Sequence, residues 1–416
     1  MRTLLAFLFT FTVSVLTAQT DTSLTLLQSE SLFLKNNLTL LAGQCNVEAA
    51  KAAIIQARLW ENPTLTSELN AYNPEQKKYF DIGSVGQKAF GIDQLIYLGG
   101  KKRNEIAMAR SNAEIAEQEF ADVLRNLKFH LRQSYFALYF DNQSYIALTR
   151  QINNLDTLIT SYSTQVEKGN IPMKDLVRLQ SLYFGFKQQK SDLYNSIIEN
   201  QRNLQLITGI SNTIVPTPVE SEITIYQSNT MLPIDTLKNK ALANRYDLKI
   251  AQKQVDAANI NVKWQKSLAI PDVTIGVNYD QLGSAFKNEV NLNIGIPLPL
   301  WNRNQGNIKI AKAQQSQSGI QQTLTINTVL NEVYLASQKW KEAQSNFKML
   351  NTQSLKNFDD VEAGVLKNFK DGNISLIEFT DFMESYTLSM MQFHQFAKNL
   401  VNACEEINFT TNSKIF

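Results

Sequence analysis

Apolar residues recur in the middle of the chain at the alternating three- and four-residue spacing of a coiled-coil seam. One such seam consists of Tyr145, Leu148, Ile152, Leu155, Ile159, Tyr162 and Val166. It lies in a stretch of 68 residues, Lys101–Lys168, without glycine or proline, and a helix of that length reaches about 100 Å at 1.5 Å per residue. After a break at Gly169, Asn170 and Pro172, a return seam begins with Leu176, Leu179, Tyr183 and Phe186 and ends near Gly209. The pattern therefore predicts a long antiparallel helical hairpin.

Shorter segments with alternating apolar residues predict strands. They form two pairs, Pro63–Tyr72 with Val85–Leu98 and Pro271–Tyr279 with Val290–Leu298. An Ala-rich helix precedes each pair, roughly Val47–Trp60 and Lys249–Lys266, and it ends where proline forces the preceding residue into an extended conformation. Strands of about ten residues can cross a bilayer, but four of them cannot close a barrel. A membrane role would need two copies with eight strands or three with twelve, and a small periplasmic sheet is the alternative.

The same order of elements occurs twice along the chain. Pro63 corresponds to Pro271 at an offset of 208 residues, and Ala107-Met108-Ala109 corresponds to Ala311-Lys312-Ala313 at an offset of 204. Lys168–Ile171 corresponds to Asp371–Ile374 at 203. Matched landmarks in both halves indicate an internal duplication. We expect a first repeat at 19–208, a linker or small irregular side layer at 209–235, a second repeat at 236–404 and a C-terminal tail at 405–416. Gly306 and Gly364 interrupt the second long helix, but such lone glycines cost only about 1 kcal/mol each.

The N-terminal residues predict export. Met1-Arg2, the 13-residue apolar run Leu4–Leu16 and the small residues up to Ala18 form the pattern of a signal peptide at 1–18. The run is shorter than the roughly 20 residues of a spanning helix. No later apolar stretch is long enough, so any membrane crossing would be made by strands. The 40 Lys and Arg and 38 Asp and Glu residues are interspersed, which gives no argument for nucleic acid as a partner.

Candidate chemistry is sparse. Cys45 and Cys404 could form one bridge in an exported chain, although Cys404 lies on an apolar helical stripe and is expected to be a buried free thiol. His130 and His394 offer no clustered spacing for a metal, and no cofactor is expected. The lack of a nucleophile elbow, a phosphate loop or a His-centred triad argues against an enzyme. An exported coiled-coil filament or adhesin would explain the seams but not the paired strands.

The duplicated series of helix, strand pair, very long helix, tip turn and return helix resembles the TolC-like outer-membrane efflux family. Two junction segments resemble those of its heavy-metal-efflux branch, namely Gln94–Arg103, with sequence QLIYLGGKKR, and the more specific Pro297–Gly306, with sequence PLPLWNRNQG. The resemblance implies a mainly α fold with a small β part. Long antiparallel coiled-coil helices would form an α-barrel in the periplasm, and four strands per chain would contribute to a twelve-stranded β-barrel of a homotrimer in outer-membrane lipid.

The resemblance also implies a function. The chain would be a passive duct that works with a periplasmic adaptor and an inner-membrane pump. Metal cations are the favoured substrate class, and drug efflux and type I protein secretion are the alternatives. The exported substrate is chosen by the pump in this family, so the sequence of the duct does not identify it.

Candidate site residues cluster at the two predicted tips. Gly and Asn tolerate the left-handed conformation of a tight reversal, and the resemblance assigns adaptor docking to the tip residues Gly169, Asn170, Ile171, Gly372, Asn373 and Ile374. Glu378 and Asp381 share a helix face at positions where the family places acidic residues facing the closed pore. Lys174 and Asp175 occupy the matching place after the first tip, and Lys174 is a candidate partner for an acidic neighbour. The alternatives are ordinary turns and solvated helix surfaces.

Overall fold

The chain forms a layer of long helices that continues at one end into a four-stranded antiparallel sheet. The structure is a computed structural model and describes residues 21–84, 86–228, 230–283, 285–350 and 358–416. The predicted signal peptide, residues 1–18, lies outside the described residues. Among the described residues, no helix combines the length and apolarity that crossing a membrane requires.

The elements follow the duplicated order that the sequence predicts. The helices are α1 Leu26–Asn36, α2 Leu38–Arg58, α3 Lys101–Glu167, α4 Met173–Thr208, α5 Glu220–Ser228, α6 Ile234–Asn244, α7 Tyr246–Leu268, α8 Gln305–Met349, α9 Phe358–Lys370 and α10 Leu376–Thr411. The strands are β1 Thr22–Leu24, β2 Thr64–Leu69, β3 Tyr72–Asn73, β4 Lys78–Tyr79, β5 Gln87–Ile96, β6 Ile214–Pro216, β7 Val273–Leu282 and β8 Phe286–Gly295.

The four predicted strands form one antiparallel sheet in the order β2-β5-β7-β8. The central pair, β5 and β7, joins the two repeats, with Gly91 opposite Asn278. β2 ends at Leu69 and not at Tyr72, because the chain turns there into the short β3–β4 hairpin, whose Tyr72 and Tyr79 rings lie 4.9 Å apart. Among the residues that the structure describes, the outer strands β2 and β8 each have a strand partner on one side only.

The predicted coiled-coil hairpin is confirmed. α3 runs unbroken from Lys101 to Glu167, and α4 packs along it. Leu148, Ile152 and Leu155 of the predicted seam are buried. They form one core cluster with other buried apolar side chains from α4, α9 and α10, namely Leu179, Phe186, Phe369, Phe379 and Met383. The rings of Phe369 and Phe379 stack at 4.2 Å, so this core holds both hairpins together.

Two lone glycines of the second half lie inside helices. Gly306 lies within α8 and Gly364 within α9, and neither glycine ends its helix. A Cβ added at either position would meet nothing within 4 Å. A single glycine on such an open face costs only about 1 kcal/mol, which is too little to break a packed helix. α8 ends instead at Met349, where Leu350 adopts an extended conformation.

Residues 209–235 and 405–416 are more ordered than expected. β6, α5 and the start of α6 lie in the first segment, and β6 pairs in parallel with β1, with Ile214 opposite Thr22. In the second segment α10 continues to Thr411. Phe416 is 3% exposed and stacks on Trp340, and the Asn408 Oδ1 atom accepts hydrogen bonds from the backbone of Ile415 and Phe416. Contacts with residues that are distant in the sequence order both segments, and the local sequence pattern does not predict such contacts.

The cysteines do not form the bridge that the sequence allows. Both are free thiols; Cys45 is exposed on α2, and Cys404 is buried in α10. The Cys404 Sγ atom lies 3.9 Å from the carbonyl oxygen of Tyr226. The expectation that Cys404 is a buried free thiol is therefore confirmed.

Candidate functional site

The two predicted tips share one backbone geometry. Gly169 and Gly372 adopt left-handed φ values of 74° and 73°. The Gly169 amide donates to the Val166 carbonyl and the Asn170 amide to the Gln165 carbonyl, both at 2.9 Å. In the second tip, Gly372 and Asn373 donate to Phe369 and Asn368 at 3.1 and 2.8 Å. This pair of bonds is the Schellman motif that ends a helix. The motif requires a left-handed residue at this position, and glycine adopts that conformation without strain.

The tips leave their backbone open to solvent. Gly169, Asn170, Gly372 and Asn373 are exposed, and Ile171 and Ile374 are half-buried. A Cβ built on either glycine meets nothing within 4 Å. Space therefore does not restrict the tips to glycine, and a partner could approach both turns closely.

The helices that leave the two tips begin differently. Pro172 caps α4 without a side-chain hydrogen bond. Ser375 caps α10 in a capping box: its amide donates to Glu378 Oε2 at 2.8 Å, and the Glu378 amide donates to Ser375 Oγ at 3.2 Å. The hydrogen bonds from Ser375 lower the pKa of the Glu378 carboxyl. Glu378 therefore has a structural role at the helix start.

Asp381 lies farther along α10, in a groove of about 400 Å³ between α10 and α4. Glu384 lines the same groove from α10, and Arg178 lines it from α4. Ser181, Gln189, Thr380 and the buried ring of Phe186 are among the other residues of the groove. Asp381 thus faces the same space as a guanidinium and a second carboxylate.

The sequence analysis missed Arg178 and Glu384. The offset of 203 residues between the tips maps Asp381 onto Arg178, so the two repeats carry opposite charges at equivalent positions. Comparing the repeats beyond the tip turns would have identified this pair.

The structure places the other two candidates apart from this groove. Lys174 is exposed and forms no ion pair with any residue that the structure describes. Asp175 is half-buried and lies close enough to Tyr162 for its charge to act on that phenol: desolvation and the Asp175 charge together raise the pKa of Tyr162. Within one protomer Arg178, rather than Lys174, is the basic residue brought to the acidic face of α10.

No metal site is built into the described part of the chain. Among its described residues, no group of three His, Cys, Asp or Glu side chains lies together in a way that could hold a metal ion. His130 lies beside Phe129 on α3, and His394 lies beside Phe393 on α10.

Family comparison agrees with this architecture. The model of the family described as outer membrane efflux protein matches residues 31–210 and 237–412, which together make up most of the chain. The chain belongs to this family, whose members are outer-membrane efflux channels. The first matched stretch contains β2, β5, α3 and α4, and the second contains β7, β8, α8, α9 and α10.

Individual relatives cover nearly the whole chain. The cobalt-zinc-cadmium resistance protein CzcC of Cupriavidus metallidurans is 21% identical over 358 residues, 86% of this chain and 82% of the relative. A crystal structure of CusC matches 93% of this chain and 92% of its own, with a TM-score of 0.72 at 17% identity. The outer membrane protein VceC of Vibrio cholerae covers 94% and 97%, with a TM-score of 0.70 at 14% identity. The fold is that of these channels.

Proposed function

We propose that three copies of this chain form a passive, non-enzymatic duct through the outer membrane and periplasm, which exports divalent metal cations together with a periplasmic adaptor and an inner-membrane pump. The observation that carries this proposal is the open four-stranded sheet. Unpaired backbone groups at β2 and β8 would each cost several kcal/mol in lipid. Three copies would pair every edge in a barrel of twelve strands.

The surface of the sheet supports contact with lipid. On β8 the alternate residues Val290, Leu292 and Ile294 are all more than 60% exposed. The exposed residues Leu65 and Leu69 on β2, Phe90 and Ile92 on β5, and Ile275 and Val277 on β7 extend this apolar surface. An exposed apolar surface of this extent is typical of membrane or protein contact.

The tips are the proposed adaptor-docking surface. Their matched backbone geometry presents two similar turns at equivalent ends of two hairpins, and three copies would present six. An adaptor could therefore bind both tips with one repeated surface. The proposed docking residues are Gly169, Asn170, Ile171, Gly372, Asn373 and Ile374.

The groove beyond the tips is the proposed periplasmic gate. In a trimer the Arg178, Asp381 and Glu384 side chains would form a ring with an excess of three carboxylates, which concentrates cations near a pore axis. Glu378, Lys174 and Asp175, at the starts of the same helices, would lie next to this ring. Closure would follow from pairing of Arg178 with the carboxylates of α10, and opening from their separation.

The metal substrate class rests on the relative CzcC, whose name describes cobalt, zinc and cadmium resistance. Deletion of the gene should lower the tolerance of the host to these cations, and the wild-type gene should restore it. Unchanged metal tolerance with lost tolerance to drugs would favour a drug duct. A toxin and drug export protein of Aggregatibacter actinomycetemcomitans, 26% identical over 113 residues, gives that alternative a basis.

Assembly is tested with purified protein in detergent. We expect a single trimeric species by native mass spectrometry and a high-mass band on an unboiled gel. A monodisperse monomer with an intact sheet would contradict the duct, because its sheet edges would be unpaired.

A further inference from the structure

A cavity of about 240 Å³ lies between α3 and α10, close to the middle of α3. Its basic side chains are Arg125, Lys128 and Arg132 of α3 and Lys414, which follows α10. Arg125 lies 24 residues after the first residue of α3, about 36 Å along the helix at 1.5 Å per residue. The cavity is therefore separate from the sheet, and its lining shares no residue with the tips or with the proposed gate.

One wall of the cavity is aromatic. The rings of Phe129 on α3 and Phe409 on α10 stack with their centres 4.5 Å apart. The Arg125 guanidinium lies 4.3 Å from the centre of the Phe409 ring, and an ion pair with Asp122 at 2.7 Å fixes it there. An aromatic surface beside a fixed guanidinium can hold the flat apolar part of a ligand together with its charged group.

The negative groups at the cavity already have partners. Glu405 is 3% exposed, and its Oε1 atom accepts from Arg132 Nη1 at 2.9 Å and from the Tyr226 hydroxyl at 2.5 Å. The C-terminal carbonyls of α10 would also repel an anion, since a helix C-terminus carries partial negative charge. The carbonyl oxygen of Phe409, in this last turn, accepts from the Asn412 amide at 3.2 Å. These contacts leave the basic side chains to determine what the cavity binds.

The cavity and its surroundings carry a net positive charge. Lys128 keeps 47% of its side chain exposed beside Glu30, at 3.3 Å. Lys414 is exposed, and among the described residues it has no ion-pair partner. The four basic side chains outnumber by one the carboxylates that pair with them, which are Asp122, Glu30 and Glu405. An excess of positive charge in a cleft raises the local concentration of anions.

We propose that this cavity binds a small molecule that has one flat apolar part and one carboxylate or phosphate group. The anionic group contacts Lys128 and Lys414, and the apolar part packs against Phe129 and Phe409. The cavity is smaller than the roughly 300 Å³ at which pockets for drug-sized ligands begin, so the ligand has a single ring. Because α3 belongs to the first repeat and α10 to the second, the bound ligand also links the two repeats. This site is additional to the proposed duct and does not depend on what the duct exports.

Fluorine NMR of small probes, with the intact protein in detergent, tests the chemistry of the site. The anionic probes are 4-fluorophenyl phosphate and 4-fluorobenzoate, and 4-fluorobenzyl alcohol is the neutral control. Both anionic probes should bind roughly tenfold or more tightly than the neutral one. Inorganic phosphate, which has the charge without the ring, should displace 4-fluorophenyl phosphate far less well than phenyl phosphate does. Equal affinity for the neutral probe, or equal displacement by inorganic phosphate, would overturn the proposal.

Single variants locate the bound probe. Lys128→Gln and Lys414→Gln each remove a positive charge from the cavity, and each should weaken binding of the anionic probes roughly threefold or more. Phe129→Leu removes a ring from the aromatic wall and should also weaken binding of both probes. Lys312→Gln removes the same charge from an exposed position on α8 outside the cavity, so it should bind like the parent. If the cavity variants bind the anionic probes as tightly as Lys312→Gln does, or if the parent binds neither probe, the cavity is not an anion site.

Discussion

At the residue scale, the two cysteines show how position on a helix determines thiol reactivity. Burial raises the pKa of the Cys404 thiol to about 12, because the thiolate would lie in an apolar core. Cys45 is exposed on α2. The sequence predicted the burial of Cys404 from its apolar stripe, but it left the pairing of the two cysteines open.

We predict that iodoacetamide at pH 8 adds one label per native chain. Only Cys45 should react, because the thiolate is the reactive form and its fraction at Cys404 is negligible at that pH. Mass spectrometry of the peptides locates the label. Denaturant should expose Cys404 and add a second label, and Cys45→Ala should remove the first. Rapid labelling of Cys404 in the native protein would contradict its placement in the core.

Glu378 has a pH-dependent role at the start of α10. Its pKa in the folded protein is lowered, so the stabilisation is present above the unfolded pKa and is lost as the pH falls through the folded value. We predict that amide exchange in the first turn of α10, corrected for intrinsic chemistry, accelerates between pH 7 and roughly pH 3, below the ordinary Glu pKa of about 4.3.

Two variants test this assignment. Glu378→Gln retains an acceptor for the Ser375 amide but should remove the pH dependence, and Ser375→Ala should loosen the turn at both pH values by about 1 kcal/mol. If Glu378→Gln leaves exchange unchanged but alters channel conductance, Glu378 acts in the gate and not in the cap.

At the element scale, the features that could be predicted from the sequence are those that depend on residue periodicity and on the positions of glycines. The seam of α3, the four long strands and both tip turns follow from local spacing, because each side chain's face is fixed by the period of its element. The α5 layer and the packing of Phe416 could not be predicted in this way, since both depend on contacts between distant segments. The Arg178–Asp381 groove was missed because its charges lie on different repeats, and only an alignment of the repeats brings them together.

The tips allow a test that separates docking from backbone strain. Any non-glycine residue at Gly169 or Gly372 must adopt a positive φ, which costs roughly 1–2 kcal/mol. Gly169→Ala and Gly372→Ala introduce this backbone strain with only a small side chain. Gly169→Trp and Gly372→Trp introduce the same strain together with a large side chain. We predict that the Trp variants abolish export and cross-linking to the adaptor while the Ala variants retain most of both, with trimer levels unchanged.

Gly364→Trp is the matched control for bulk. Gly364 is exposed on α9, and a Cβ there meets nothing within 4 Å, but it lies eight residues before Gly372 and away from the turn. This variant should export normally. If the Trp variants at both tips still support metal tolerance, the turns only reverse the chain and do not dock the adaptor.

At the scale of the whole molecule, the proposed threefold repetition would convert single side chains into rings. Internal duplication adds a second set of equivalent positions, so a trimer would have two sets of three hairpins, and the two sets differ in charge. Arg178 and Asp381 occupy one such pair of positions, and Glu384 adds the excess negative charge. In the proposed duct, a closed passage with these groups would be stable only when the carboxylates are paired or bind cations. The charge difference between the repeats would then contribute to gating.

The last prediction follows from that pairing. Asp381→Arg should place like charges in the groove, hold it apart and raise single-channel conductance in planar bilayers. Arg178→Asp should crowd carboxylates and strengthen block by trivalent cations. The double exchange should return conductance toward that of the parent, because the pair is restored with its polarity reversed. These differences should shrink in 1 M salt, where the screening length is about 3 Å.

Lys174→Gln is the matched control and should conduct like the parent. If Lys174→Gln alters conductance and the Arg178 and Asp381 variants do not, the gate is built on Lys174 and the groove has no role in conduction.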